Sequence, residues 1–241
     1  MIFRAFATAG LGALLATSAF AQNAPTQQQR PPGAPIQLNQ PRPPANNAQS
    51  AIGRAAAPAT VPTISAAQAV QKANAWLNGV TTMVADFIQI GADGKRAEGK
   101  LYVQKPGKLR FQYAPPAVME VVADGRSVAV RNRKLNTQDL AFISQTPLKF
   151  LLKNALDLSR DTKVLEVGQN PNATSILIED KATFGGTSRI NLIFDPQSFA
   201  LKQWTVVDPQ GFETVVSLFN VDLKERPDPG LFWINEDVIR E

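Results

Sequence analysis

Carboxylates are the side chains with which this 241-residue chain could perform chemistry. The sequence contains no histidine and no cysteine, which excludes Ser-His-Asp triads, thiol catalysis and zinc sites built from those residues. Acidic residues on or beside predicted strands could pair across them, as the acid and base of a glycosidase do. They are Asp86, Glu98, Glu120, Asp208, Glu213 and Asp222. Surface acids that alternate with basic residues on solvated strand faces give the same pattern, and we favour that interpretation.

Metal and phosphate sites are poorly supported by the loop sequences. A calcium site at Asp93 or Asp208 would lack the D-x-D-x-D-G spacing. The segment Asp208-Pro209-Gln210-Gly211 is typical of a turn. Gly91-Ala92-Asp93-Gly94 lies between two strands and opens no helix, so it is not a phosphate loop.

The first 21 residues have the pattern of a cleaved signal peptide. Arg4 supplies the positive charge, Ala5–Ala16 is apolar, and Ala19-Phe20-Ala21 matches a cleavage site. The apolar run is too short to span a bilayer. We therefore expect the mature protein to be soluble and exported.

Residues 22–63 have the composition of a disordered linker. They hold nine of the 18 prolines and few large apolar residues, so they cannot bury enough surface to offset the entropy of ordering. All four basic residues of the first 63 positions lie in a stretch without acids. The remaining chain carries a net charge of only +1, which does not favour nucleic-acid binding.

Residues 64–241 are long enough for one domain with a real core. The domain opens with a predicted helix: Ser65 is a plausible N-cap, and apolar residues recur at helical spacing from Ala69 to Val80. A second helix is predicted over Thr146–Leu158, with Pro147 at its first position and a stripe of leucines on one face.

Alternating apolar and polar residues predict the strands. The predicted ranges are Thr82–Ile90, Gly99–Gln104, Lys108–Ala114, Val118–Ala123, Ser127–Arg131, Leu135–Asp139, Thr162–Val167, Ser175–Asp180, Thr187–Phe194, Leu201–Val207, Glu213–Leu223 and Leu231–Ile234. Turn residues separate them, and there is no βαβ alternation. The prediction is a mainly β fold: an antiparallel, strongly curved sheet or incomplete β-barrel, with two or more helices available as a lid over its concave face.

The run from Met83 to Pro116 resembles the LolA family, the periplasmic lipoprotein carriers of Gram-negative bacteria. The matching pieces are Asp86-Phe87-x-Gln89, Gly99-x-Leu101, Lys105-Pro106-Gly107-x-Leu109-Arg110-Phe111 and Pro116. Further matches are Asp124-Gly125, Thr146-Pro147 followed by Leu151-Leu152, and Asp208-x-x-Gly211. In this order the combination is fairly specific, and it covers about Ser65–Ile234.

The resemblance implies an unclosed barrel with a helical lid and a hydrophobic cavity for the acyl chains of lipoproteins. Such a carrier receives cargo from an inner-membrane exporter and delivers it to the outer-membrane receptor LolB, which is similar in fold but has a lipidated cysteine. The absence of cysteine favours the carrier. We expect a monomer without a membrane anchor that needs no cofactor.

The expected cavity and lid residues combine strand alternation with the resemblance. They are Trp76, Leu77, Phe87, Leu101, Leu109, Phe111, Leu148, Phe150, Leu151 and Leu152. For most of the aromatic residues, an ordinary core position is the competing interpretation. The family's usual Arg, which contacts the lid and helps to hold the empty cavity shut, is replaced here by Lys105. Lysine cannot form the forked hydrogen bonds of arginine, so we expect a weaker or differently built lid latch.

Three alternatives stay open. An envelope domain could sense lipids or lipoproteins without carrying them. A carboxylate-dependent envelope hydrolase would lose its activity on substitution of a single Asp or Glu. A purely structural β-module would enclose no cavity.

Overall fold

The computed structural model describes residues 63–235. The signal peptide expected at residues 1–21 lies outside this range, as does all but the last residue of the linker expected at 22–63, so both stay predictions. The described residues form eleven strands and three α-helices.

The helices are α1 (Ala66–Gly79), α2 (Lys149–Leu152) and α3 (Leu158–Asp161). The strands are β1 (Thr82–Ile90), β2 (Arg96–Gln104), β3 (Lys108–Tyr113), β4 (Met119–Asp124), β5 (Ser127–Asn132), β6 (Thr137–Phe142), β7 (Lys163–Asn170), β8 (Ala173–Thr183), β9 (Gly186–Phe194), β10 (Leu201–Val207) and β11 (Glu213–Asp222). Two 3₁₀ turns, Ile143–Gln145 and Pro229–Phe232, complete the described chain.

All eleven strands belong to one antiparallel sheet in the order β6-β5-β4-β3-β2-β1-β11-β10-β9-β8-β7. Most neighbours in the sheet are also neighbours in sequence, and β1 pairs with β11 to join the two halves. The edge strands β6 and β7 do not pair, so the sheet is not closed into a barrel. The predicted fold class, mainly β with an incomplete barrel and helices, is confirmed.

The sheet is strongly curved, as contacts across its inner face show. Phe111 on β3 and Trp204 on β10 are separated by four strand-to-strand steps. In a flat sheet these strands would lie about 19 Å apart, at about 4.8 Å per step. The two ring centroids nevertheless lie only 6.5 Å apart. The sheet therefore folds back on itself and encloses an apolar interior.

Helix α1 begins as the sequence predicts. Ser65 accepts a hydrogen bond from the Gln68 backbone, and the Gln68 side chain accepts one from the Ser65 backbone, which completes a capping box. The apolar stripe from Ala69 to Leu77 is buried against the inner face of the sheet.

The helix predicted over Thr146–Leu158 is wrong as a continuous element. The structure has two short helices instead, and α2 and α3 are separated by residues 153–157. Pro147 precedes α2 rather than starting it, and the Thr146 hydroxyl donates to the Ile143 carbonyl instead of capping a helix.

The strand predicted over Leu231–Ile234 is also wrong. The Asp228 carboxylate caps a 3₁₀ turn through the Gly230 amide, and the chain then crosses the outer face of the sheet. Arg110 donates to the Leu231 carbonyl at 3.0 Å, which fixes the crossing. Phe232 and Ile234 are buried, and Ile234 packs against apolar side chains on the outer face of β4 and β5.

Candidate functional site

An aromatic cluster fills the centre of the enclosed interior. Phe87 meets Phe111 and Tyr113 edge to face, with ring centroids 5.0 and 5.1 Å away. Phe111 in turn contacts Trp204. Phe150, from α2, reaches down to Trp204 with a centroid distance of 5.7 Å. A covering helix and three strands thus meet around one set of rings.

A small pocket lies beside this cluster and is lined mainly by apolar side chains. Its volume is about 90 Å³, well below the roughly 300–1,000 Å³ of typical ligand sites. Apolar lining residues include Phe111, Val121, Val128, Val130, Ala141, Leu148, Trp204, Val206 and Val216. In this conformation the interior is therefore nearly full, and α2 supplies part of the filling.

The polar groups that line this interior pocket are few. The buried Tyr113 hydroxyl donates to the Gln89 side chain at 2.8 Å, and burial raises the pKa of the Tyr113 phenol above its ordinary value. Asp139 and Asp208 are the charged residues of the lining, which includes no lysine or arginine. The Asp208 carboxylate is occupied by the amides of Gln210 and Phe212.

The cover over the interior is the connecting segment, which we define as residues 143–162 between β6 and β7. Its front end is fixed because Phe184 donates its backbone N–H to the Gln145 carbonyl at 2.7 Å. Its rear end is fixed to α1 by side-chain amides. Asn78 pairs with both backbone groups of Leu156 at 2.8 Å, and the Leu158 amide donates to Asn74 at 3.0 Å.

Between these two fixed ends, polar contacts to α2 come from two places. The Gly107 amide, in the turn between β2 and β3, donates to the Leu152 carbonyl at 3.1 Å. Lys149 forms an ion pair with Asp180 on β8 at 2.7 Å, and the Asp180 side chain is only 2% exposed. Apolar burial of Phe150, Leu151 and Leu152 supplies the rest of the attachment. Helix α2 is therefore held by apolar contacts that a competing apolar ligand could replace, and by one ion pair that such a ligand could not replace.

Lys105, the predicted latch, contacts α1. Its ammonium donates to the Leu77 carbonyl at 2.5 Å, in the last turn of the helix, where carbonyls lack helical partners. Burial lowers the pKa of Lys105 to about 8. The turn that contains Lys105 and Gly107 thus donates hydrogen bonds to both α1 and α2.

The ten predicted cavity and lid residues occupy different environments. Phe111 and Leu148 line the interior pocket. Leu77, Phe87, Leu101 and Leu109 are at most 1% exposed and belong to the packed core, and Trp76 is partly buried against it. Phe150, Leu151 and Leu152 are the buried face of α2.

The sequence prediction missed several lining residues. Trp204, Val121, Val128, Val130 and Val216 all line the interior pocket but were not among the predicted cavity residues. The alternation of β4, β5, β10 and β11 carries the signal that could have found them, because each points inward on its strand.

Most of the six carboxylates considered for acid–base chemistry form ion pairs or hydrogen bonds with other residues. Asp86 accepts hydrogen bonds from Asn220 and Lys100, and these lower its pKa. Glu98 and Glu120 form ion pairs with Arg96 and Arg110. Asp208 and Asp222 accept backbone amides in turns. These contacts favour structural roles for five of the six.

Comparison with known proteins identifies the class to which this fold belongs. The family model for the outer membrane lipoprotein carrier protein LolA matches residues 78–235. The chain therefore belongs to the LolA family, and the resemblance drawn from the sequence is confirmed.

Individual relatives are distant. An outer-membrane lipoprotein carrier protein of Chromobacterium violaceum is 27% identical over 61% of this chain and 74% of its own length. One of Legionella pneumophila is 29% identical over 63% of this chain and 76% of its own. Among solved structures, a LolA superfamily protein of Nitrosomonas europaea aligns with a TM-score of 0.40 at 11% identity, over 71% of this chain and 99% of its own. Within residues 63–235, no helix is long and apolar enough to cross a membrane.

Proposed function

We propose that this protein is a soluble periplasmic carrier that binds the acyl chains of lipoproteins and moves them from the inner to the outer membrane. Family membership and the names of the relatives support the class of cargo. The observation that carries the proposal is the curved sheet with an apolar interior, covered by a helix whose apolar face is buried in that interior.

The physical need for such a carrier is large. Each buried methylene is worth about 0.8 kcal/mol, so an exposed multi-chain acyl anchor would insert into the nearest membrane or aggregate. A carrier must cover those chains and still release them. Here the acyl chains would take the place of Phe150, Leu151 and Leu152 on the inner face of the sheet. Because the chains replace existing apolar contacts, and because opening also separates Lys149 from Asp180, the net binding free energy stays moderate.

Cargo entry requires α2 to leave the interior, since the pocket of about 90 Å³ is too small for an acyl chain. In this proposal Lys105 steadies the closed form through α1, and Gly107 steadies it through α2. Unchanged lid opening and cargo binding in a Lys105→Ala variant would remove Lys105 from this role. The partners proposed are an inner-membrane exporter, which would load the carrier, and a LolB-like receptor, which would unload it.

The test is a solubility assay. The purified protein is mixed with a triacylated lipoprotein in detergent-free buffer, and we expect the cargo to stay in solution in a complex with it. Ala141 on β6 lines the interior pocket, so Ala141→Trp should fill the pocket and abolish the complex. Ala92→Trp, in the exposed turn between β1 and β2, is the matched control and should retain it. A cargo that precipitates with the wild-type protein would refute the proposal.

A further inference from the structure

A second, larger hollow opens at the rim of the sheet. This rim cleft has a volume of about 740 Å³ and is lined by the connecting segment, by the turns around Gly107 and Gly125, and by β8 and β9. It shares only Pro147 with the lining of the interior pocket. The two hollows lie on either side of Pro147 and α2, and substitutions outside these shared residues can alter one hollow without the other.

The rim cleft and the interior pocket differ in charge. Asp139 and Asp208 are the charged residues in the lining of the interior pocket. The rim cleft is lined by three cations, Arg126, Lys149 and Lys153, and by two carboxylates. An anionic group is therefore disfavoured in the interior pocket and favoured in the rim cleft.

The contacts within the rim cleft show which positive charge is available. Lys149 and Asp180 neutralise each other. Asp161 accepts from both Lys153 at 2.6 Å and Arg160 at 3.1 Å, and the Asp157 carboxylate also acts on Arg160, so these four groups are together neutral. Within residues 63–235, no carboxylate lies within ion-pair distance of the Arg126 side chain. Arg126 can thus meet an incoming anion without first losing an ion-pair partner, and the Lys153 side chain, which is 46% exposed, belongs to the same lining.

Apolar surface lies next to this charge. Phe142 is 51% exposed, and the Arg126 guanidinium stacks over its ring at 6.0 Å. Further apolar lining comes from Phe150, Leu152, Leu156, Ile178 and Ile190. A volume of this size falls within the range of about 300–1,000 Å³ that is usual for small-molecule sites. The cleft therefore suits a ligand that is apolar along its length and negative at one end.

We propose that the rim cleft binds an anionic amphiphile, an acyl chain that ends in a phosphate or carboxylate group. Arg126 and Lys153 would hold the anionic group through charge-assisted hydrogen bonds, and the chain would lie against Phe142 and the apolar lining. This site is additional to the acyl-chain interior of the proposed function and does not depend on it.

Calorimetric titration with amphiphiles of one chain length tests the proposal. Dodecyl phosphate should bind the wild-type protein more tightly than dodecyltrimethylammonium. Arg126→Glu should weaken dodecyl phosphate at least about tenfold, because a charged hydrogen bond becomes a repulsion. Lys134→Glu makes the same change in net charge at an exposed position outside the cleft and should stay within about twofold. Equal weakening in the two variants, or equal binding of the cationic amphiphile, would overturn the inference.

Further probes separate the sources of the anion. Inorganic phosphate should compete poorly with dodecyl phosphate. If it competes equally well, the apolar lining plays no part and the inference fails. Dodecanoate and a single-chain phospholipid with a phosphate headgroup share the required chemistry. Tighter binding of one of them supports the site and assigns a fatty acid or a phospholipid as its natural ligand, and binding of neither contradicts it.

Two tryptophan substitutions separate this inference from the proposed function. Ala182→Trp should fill the rim cleft and abolish dodecyl phosphate binding while leaving the lipoprotein complex intact. Ala141→Trp should abolish the lipoprotein complex while leaving dodecyl phosphate binding intact. Loss of dodecyl phosphate binding in the Ala141 variant would place the amphiphile in the interior and end the case for a separate site. Failure of the lipoprotein assay alone would contradict the proposed function but not the amphiphile site in the rim cleft.

Discussion

Phe150 of α2 stands edge-on against Trp204 of β10, with ring planes at 73° and each side chain 2% exposed. Phe150→Ala should lower the free energy of unfolding by about 3–5 kcal/mol, since a buried ring is lost and a cavity remains. Urea denaturation measures this change. The enlarged interior should also bind an apolar fluorescent dye more tightly than the wild-type protein does.

Phe219→Ala is the control, because Phe219 lies on the outer face of β11 and is 46% exposed. It should change stability by less than about 1 kcal/mol. Loss of stability in Phe150→Ala without any gain in dye binding would mean that the ring does not occupy ligand space.

The buried pair between Lys149 and Asp180 should be costly to break on one side only. Lys149→Met leaves Asp180 charged and nearly inaccessible to water, and the free energy of unfolding should fall by about 3–5 kcal/mol. Adding Asp180→Asn should recover most of that loss. In the comparison pair, the Lys153 side chain is 46% exposed, so Lys153→Met should cost no more than about 1 kcal/mol. Equal costs in the two single variants would show that the Lys149 pair is effectively hydrated.

Lys105 should make stability depend on pH in the alkaline range. Burial lowers its pKa from 10.5 to about 8, so between these values the unfolded chain binds more protons than the folded protein. The free energy of unfolding contributed by Lys105 should therefore rise as the pH rises from about 8 towards 10.5. Chemical denaturation from pH 7 to 9.5 measures it, with Lys105→Met as the reference. Parallel curves for the two proteins would contradict the lowered pKa.

Gly99 on β2 should not tolerate a side chain. A Cβ atom there would lie 2.0 Å from the backbone oxygen of Gln112, on the paired strand β3. Gly99→Ala should therefore lower the free energy of unfolding by at least about 1–3 kcal/mol in thermal or urea denaturation. Gly79, the last residue of α1, has open space around it, and Gly79→Ala should be neutral or stabilising by up to about 1 kcal/mol. The opposite ranking would contradict the register of β2 and β3.

Strands were predicted well because alternation survives in most of them. The ranges Thr82–Ile90 and Leu201–Val207 match β1 and β10 residue for residue. The predicted helix over Thr146–Leu158 failed because its apolar spacing says nothing about partners far away in sequence. Asn78 binds both backbone groups of Leu156, and this tertiary contact replaces the helical hydrogen bonds there.

The site was predicted only in part, for a related reason. Alternation shows that Leu101 and Leu109 point inward, and both do. It cannot show whether inward side chains leave a space between them, since that depends on the summed volumes of residues from all eleven strands and the cover. The pocket accordingly lies beside Trp204 and Val128, whereas the two leucines are in the packed core.

The strands β6 and β7 are consecutive in sequence but lie at opposite edges of the sheet, and the two halves join through β1 and β11. A backbone break within residues 153–157 would therefore sever no strand ladder. The two resulting fragments would each retain a complete meander, and they should reassemble along the seam between β1 and β11. The cover can consequently be shortened, lengthened or exchanged as a cassette while the sheet beneath it keeps its register.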